Sequence, residues 1–298
     1  MAVKNQLTEN NKQQPKFSAA IQGKTYQKLI LNTLGDSKRA SRFTSAIISA
    51  VSANEKLQEC DASTILSGAL LGEGLNLSPS PQLGQYYLIP FNKTEGNNTI
   101  KVAQFQLGYK GYLQLAIRSG YYRKINVLPI KVGELEYFDP LEEQIKLNMI
   151  EDEEVRETLE TIGYYAMFEY LNGFRKVIYW SKKKMEKHAN TYSNAFKLKK
   201  LSSFWYKDFD AMACKTMLRQ LISKWGIMSV ELQEAYEKDM GVVYEDGNVE
   251  YIDSQISEQQ KQQQITEQQE QQATMEYENT NECQQTMTNE EFFAGMGV

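Results

Sequence analysis

Apolar positions recur at helical spacing in three stretches near the N-terminus, Tyr26–Thr33, Lys38–Val51 and Ser63–Leu71, and each predicts an amphipathic helix. Asp61 or Ser63 stands where the third needs an N-cap. The run Ser78-Pro79-Ser80-Pro81 removes backbone donors and stops helix formation. Beyond it, Tyr86–Phe91 and Thr99–Leu107 read as strands joined by the turn-rich link Asn92–Asn98. Gly108–Ser119 returns to helical spacing and Tyr121–Val132 to strand. Ile162–Leu171 and Phe174–Trp180 flank Asn172-Gly173, a pair suited to a type I′ turn, and predict a hairpin. Ser181 is placed to cap a helix through His188, and Phe204–Trp225 has the pattern of one long amphipathic helix. The fold class that follows is α+β: an antiparallel sheet with hairpins packed against helices, preceded by a helical N-terminal part.

The ends break this pattern. Residues 1–24 are polar and predict a flexible lead-in to a core running from 25 to about 240. Between Gln255 and Gln272, ten of 18 residues are glutamine, too few apolar groups to offset the entropy of ordering. Residues 241–298 are therefore expected to form a largely disordered acidic tail, with Asn289-Glu290-Glu291-Phe292-Phe293 as a candidate docking end.

The chain has 298 residues, of which 41% are hydrophobic, enough for a sizeable core. No apolar run approaches the ~20 residues a bilayer span needs. Met1–Pro15 lacks the apolar centre of a signal peptide, so a cytoplasmic protein without a membrane anchor is expected. Three separated cysteines (Cys60, Cys214, Cys283) form neither a disulfide framework nor a metal-ligand pattern. His188 is the sole histidine and has no evident catalytic partner.

Charge changes the picture more than composition does. The net charge of -5 hides 13 Lys and Arg against three acids in residues 171–224, and 16 acids against two lysines in 231–298. Residues 134–160 add 11 acids and two bases. Such polarity fits a polyanion-binding core followed by an acidic tail, although charged solvated faces produce it too. If the tail competes electrostatically with a nucleic acid, deleting 241–298 is expected to raise affinity most at low salt.

Three segments carry candidate chemistry. Gln104-Phe105-Gln106-Leu107-Gly108-Tyr109-Lys110-Gly111-Tyr112 runs on to Arg118, Arg123 and Lys124, interleaving cations with aromatics as a single strand requires for phosphates and bases. Lys110, Gln114 and Arg118 form one polar stripe of a helix, with Tyr109, Leu113, Ala116 and Ile117 toward the core. Gly108 and Gly111 permit close approach of another backbone or of a phosphate. In Ser181-Lys182-Lys183-Lys184, lysines occupy a helical first turn, where the macrodipole disfavours them and an external anion would relieve them. On Phe204–Trp225, Lys207, Lys215 and Arg219 fall within roughly 120° of arc, a basic stripe opposite an apolar face.

Gly23-Lys24-Thr25 matches the end of a phosphate-binding loop, but Ser18 stands where its first glycine belongs, so no ATP requirement is expected. Glu151-Asp152-Glu153-Glu154 reads as a solvated helix start, with a magnesium site as the alternative.

The sequence resembles the RecT family of phage single-strand annealing proteins across most of residues 60–235. The resemblance rests on Cys60–Leu66 with Gly68-Ala69-Leu70, on Gly84–Phe91, on Gln104–Arg118, on Asn172–Lys176 and on Trp205–Trp225. It implies a non-enzymatic protein that coats single-stranded DNA, assembles into rings or helical filaments and anneals complementary strands without a cofactor. It also implies a companion phage exonuclease and contact with the host single-strand-binding protein. DNA-contacting residues are expected at Gln104, Gln106, Lys110, Tyr112, Arg118, Arg123, Lys124, Lys207, Lys215 and Arg219, with no catalytic or metal-ligating residue. A magnesium-dependent nuclease using the carboxylates of 134–154, or a scaffold protein that binds no DNA, are the alternatives.

Overall fold

The computed structural model describes residues 16–95, 98–201 and 203–252. The expectations for residues 1–15 and for the Gln-rich end from residue 253 onward lie outside the described residues.

Five helices open the chain: α1 (Phe17–Ala20), α2 (Lys24–Leu34), α3 (Ser37–Ser52), α4 (Glu55–Gln58) and α5 (Ala62–Gly74). Asp36 caps α3 by accepting from the amides of Lys38 and Arg39, and Asp61 caps α5 through Ser63 N. Phe17 and Ile21 are buried, so ordered packing begins before residue 25. A long antiparallel hairpin follows, β1 (Tyr86–Glu95) with β2 (Asn98–Leu107), and its inner face packs on α5. Next come α6 (Tyr109–Arg118) and β3 (Tyr122–Lys131).

A small hairpin, β4 (Leu135–Asp139) with β5 (Gln144–Leu147), and helix α7 (Glu153–Thr158) occupy the acidic stretch. Asp152 caps α7, which gives its acidic start a structural reason. Arg156 is held by Glu134, a buried carboxylate that also accepts from Lys131 N and Ile150 N. Burial opposes the charge of Glu134, but these donors hold its carboxyl below the usual range.

β6 (Thr161–Tyr170) is the centre of a three-stranded antiparallel sheet ordered β3-β6-β7, with β7 spanning Arg175–Ser181. The β6–β7 turn departs from the type I′ expectation. Tyr170 N donates to Phe174 O (2.8 Å) and Gly173 N to Tyr170 O (3.0 Å), enclosing the three-residue loop Leu171-Asn172-Gly173. Only Gly173 takes a positive φ, at 87°, so glycine is needed at one position rather than a pair.

The chain closes with α8 (Lys182–Tyr192), α9 (Asn194–Lys197), α10 (Phe204–Lys207), α11 (Phe209–Trp225), α12 (Val230–Glu237) and the short strands β8 (Val242–Val243) and β9 (Val249–Glu250). The expected single helix from 204 to 225 is broken at Asp208. That residue is non-helical (φ -152°, ψ 83°), and its carboxylate accepts Ala211 N to start α11 afresh. One face of the three-stranded sheet buries Tyr164, Ala166 and Phe168 against α8 and α11, and the other buries Tyr165 and Met167 under the β4–β5 hairpin. Gly241 bridges to Phe105, so the C-terminal strands lie along β2 and the ordered part continues past residue 240.

Candidate nucleic-acid interface

Side chains alternate along β2. Ala103, Phe105 and Leu107 enter the main core, leaving Gln104 and Gln106 on the opposite face, across from Ile89 and Tyr87 of β1. Gln106 Nε2 donates to Gln104 Oε1 (2.8 Å), and Gln104 Nε2 donates to the Met240 carbonyl. Gln104 is thereby buried and fixed, whereas Gln106 keeps accessible surface and Tyr87 is exposed. The Lys110 stem and the Tyr87 hydroxyl both pass beside Gly84, which joins Lys110 to this face.

The two glycines at the start of α6 serve the chain's own backbone. A β-carbon on Gly108 would lie 2.1 Å from Gly84 O, and one on Gly111 would lie 2.0 Å from Gln85 O. This contact rotates α6 so that Gly111, Tyr112, Leu115 and Ala116 face inward while Ile117, expected in the core, is exposed. Tyr112, expected to line the interface, is 0% exposed and cannot touch a ligand directly.

Tyr112 instead builds the site from beneath. Its hydroxyl donates to Asp239 Oδ2 (2.8 Å), while Leu107 N donates to Asp239 Oδ1 (2.9 Å). Arg219 Nε lies 3.2 Å from the Tyr112 oxygen and 3.3 Å from Asp239 Oδ2, and its guanidinium rests over the Tyr236 ring at 4.7 Å. Arg219 Nη2 is buried yet has no hydrogen-bond partner among the described residues. One turn earlier on α11, half-buried Lys215 makes no hydrogen bond or ion pair among the described residues. Burial pushes the Lys215 ammonium down, Asp239 opposes that shift and Arg219 adds to it. Arg219 alone is ion-paired to Asp239, and both cations retain free donors, an arrangement that an anion relieves.

The remaining expected cations are engaged elsewhere. Arg118 donates to the Leu75 and Asn76 carbonyls at the end of α5, and Arg123 pairs with Glu169 at 3.1 Å. Lys124 is exposed on β3 and lies opposite Glu169 in the register. The break at Asp208 separates Lys207 from Lys215 and Arg219, and its ammonium lies 5.6 Å from the Phe204 ring. In the triple lysine, Lys182 pairs with Glu160 at 2.8 Å and Lys184 lies over Trp180 at 4.5 Å, so internal partners account for two of the three.

His188 sits between the Trp180 and Tyr192 rings, and burial together with Arg219 and Lys224 pushes its pKa down to about 4. Among the described residues, no group of three or more His, Cys, Asp or Glu side chains is arranged to hold a metal ion. No helix among them is long and apolar enough to cross a membrane.

The sequence reading missed Asp239, Tyr236 and Tyr87. Tyr87 carried a signal, since alternation along its strand sets it on the face of Gln106. Asp239 carried none, being one acid among the many that follow residue 230.

Comparison with known proteins places this arrangement in context. A model of the RecT family matches residues 41–250. The uncharacterized protein YqaK of Bacillus subtilis (strain 168) is 40% identical over 261 residues, covering 84% of this chain and 82% of that protein. Protein RecT of Escherichia coli (strain K12) is 27% identical over 184 residues, covering 61% of this chain and 65% of that protein.

Proposed function

We propose, from the premise that the chain belongs to the RecT family, that it binds single-stranded DNA through the Gln106–Lys110–Lys215–Arg219 face and anneals complementary strands in recombination. One observation carries this reading: Arg219 Nη2 is buried without a hydrogen-bond partner beside Asp239, Lys215 one turn earlier makes no hydrogen bond or ion pair among the described residues, and the exposed Tyr87 ring lies opposite Gln106 on β1. Cations that track phosphates, with an aromatic face for a base, suit a single strand of any sequence. Neutralising one strand lowers the repulsion that opposes bringing up its complement, and base pairing then supplies the specificity. In this mechanism the protein breaks no covalent bond and uses no ATP.

Arg118, Arg123 and Lys124 belong to the wider basic surface in this proposal, Lys207 stands apart from it beyond the break at Asp208, and Gln104 and Tyr112 act as supports. The annealing unit is the core, residues 25–240 extended to the strands beside β2. Assembly into rings or filaments, a companion exonuclease and a host single-strand-binding protein remain parts of the proposal, and the acidic tail is its partner-docking end. The test is annealing of two complementary oligonucleotides without nucleotide, comparing wild type with Lys215→Ala/Arg219→Ala. Wild type is expected to anneal faster than the protein-free control and the double variant to lose most of that gain. Wild-type annealing at the uncatalysed rate overturns the proposal.

A further inference from the structure

The segment from α9 to α10 is basic and apolar at once. Between Ser193 and Lys207 the chain carries Lys197, Lys199, Lys200 and Lys207 and no acid. All four lysines are exposed, and none has an acidic partner among the described residues. Leu198, Leu201 and Phe204 are 64%, 78% and 62% exposed. Phe196, Trp205 and Phe209 pack ring against ring and anchor the segment, Tyr206 stacks on Phe196 and donates to its carbonyl, and Phe204 is left projecting outward.

Two further features set the surface apart from an ordinary solvated one. Lys199 has φ 52°, the left-handed conformation at a helix end that glycine takes without penalty, and its amide donates to Phe196 O. Lysine occupies this position against its backbone preference. The nearest acids in sequence are also already committed. Asp208 accepts Ala211 N, and Asp210 accepts from Thr161 and Tyr164 and pairs with Lys131 at 3.8 Å.

We infer that the α9–α10 surface binds a second single strand of nucleic acid, separately from the strand held at Lys215 and Arg219. Exposed rings beside unpaired lysines offer base stacking and phosphate contact together. The second site is joined to the first through α11: Phe209, which anchors α10, lies roughly 9 Å along the helix from Lys215 and roughly 15 Å from Arg219, at about 1.5 Å per helical residue. Two strands held at that spacing on one helix are close enough to search for pairing without competing for the same cations. The inference rests on the single-strand reading above and adds where the incoming strand is received.

The experiment uses the full chain saturated with an unlabelled oligonucleotide, to which a labelled, non-complementary oligonucleotide is added and followed by fluorescence anisotropy. The variant is Lys197→Gln/Lys199→Gly/Lys200→Gln/Phe204→Ser, and Lys199→Gly alone is the folding control, expected to keep or raise Tm because glycine suits the positive φ. The variant is expected to lose about tenfold in affinity for the second strand, with its log–log salt slope shallower by about 2, at ~0.7 per phosphate contact. Its affinity for the first strand should stay within about twofold on the same phosphate-contact grounds.

Unchanged second-strand affinity overturns the inference while leaving the single-strand reading intact. A parallel loss for the first strand overturns it too, by making the two surfaces one groove. Equal competition by polyglutamate overturns it in favour of an acidic peptide. A wild type that binds no first strand overturns the underlying reading as well, so the two failures are distinguishable.

Discussion

Asp239 is 0% exposed and holds three donors from β2, α6 and α11, so its charge is balanced only by the geometry around it. Replacing Asp239 by Ala strands Arg219 in the interior and is expected to cost about 3–5 kcal/mol, read from urea unfolding. Tyr112→Phe removes one donor to a buried carboxylate, for a loss of about 1–3 kcal/mol, yet leaves the salt slope of DNA binding unchanged because Tyr112 touches no phosphate. Arg219→Ala and Lys215→Ala should each make that slope shallower by about 0.7, measured by anisotropy titration at several salt concentrations. A slope that moves with Tyr112→Phe and not with Lys215→Ala would reverse this division between support and contact. His188 gives a pH test. Its folded pKa, about 4, lies below the unfolded value near 6.5, so the unfolded chain binds the proton more readily between them. Stability from this residue is present above the unfolded pKa and is lost as pH falls toward the folded one. As His188 is the chain's single histidine, one imidazole signal followed by NMR from pH 7 to pH 4 settles it. A midpoint at or above 6 would contradict the buried, ring-enclosed position.

At the level of elements, long periodic segments were legible and short polar ones were not. The patterns for α2, α3, α5, β1, β2, β3, β6 and β7 were readable because each is long and buries apolar side chains against a neighbour, β6 on both of its faces. The β4–β5 hairpin and α12 were missed, since they lie in acid-rich stretches where solubility hides the few apolar positions, whereas the acids at 151–154 did mark the start of α7. The break at Asp208 was missed because an N-cap aspartate inside a helical pattern looks like one more polar position. Asp208→Ala is expected to cost about 1 kcal/mol through loss of that cap. The candidate site was half legible: the cations and glutamines could be listed, but which of them meet depends on the rotation of α6. That rotation is set by the glycine contacts with the 84–85 carbonyls. Gly108→Ala should therefore be far more damaging than a helix-start substitution alone, and a circular-dichroism melt that shifts by less than a few degrees would contradict it.

For the whole molecule, the C-terminal strands decide where the core ends. Phe105 N donates to Gly241 O and Met240 N to Phe105 O, each at 2.9 Å, so β2 is paired along both edges. A chain cut after Met240 loses the first bond and exposes that edge, whereas a chain cut after Ile252 keeps every described element. The longer product is expected to retain the wild-type Tm and the shorter to melt several degrees lower, or to aggregate through the bared strand. The same closure has a bearing on synthesis. Asp239 and Tyr112 stand 127 positions apart, so the carboxylate that seats Arg219 arrives long after the strand it must meet. Contacts of such separation form late, because loop closure comes first. A nascent or partly opened chain therefore carries its lysines and arginines without the socket that aims them. On the proposed function, strand binding is therefore expected only from chains in which Asp239 has met Leu107 and Tyr112.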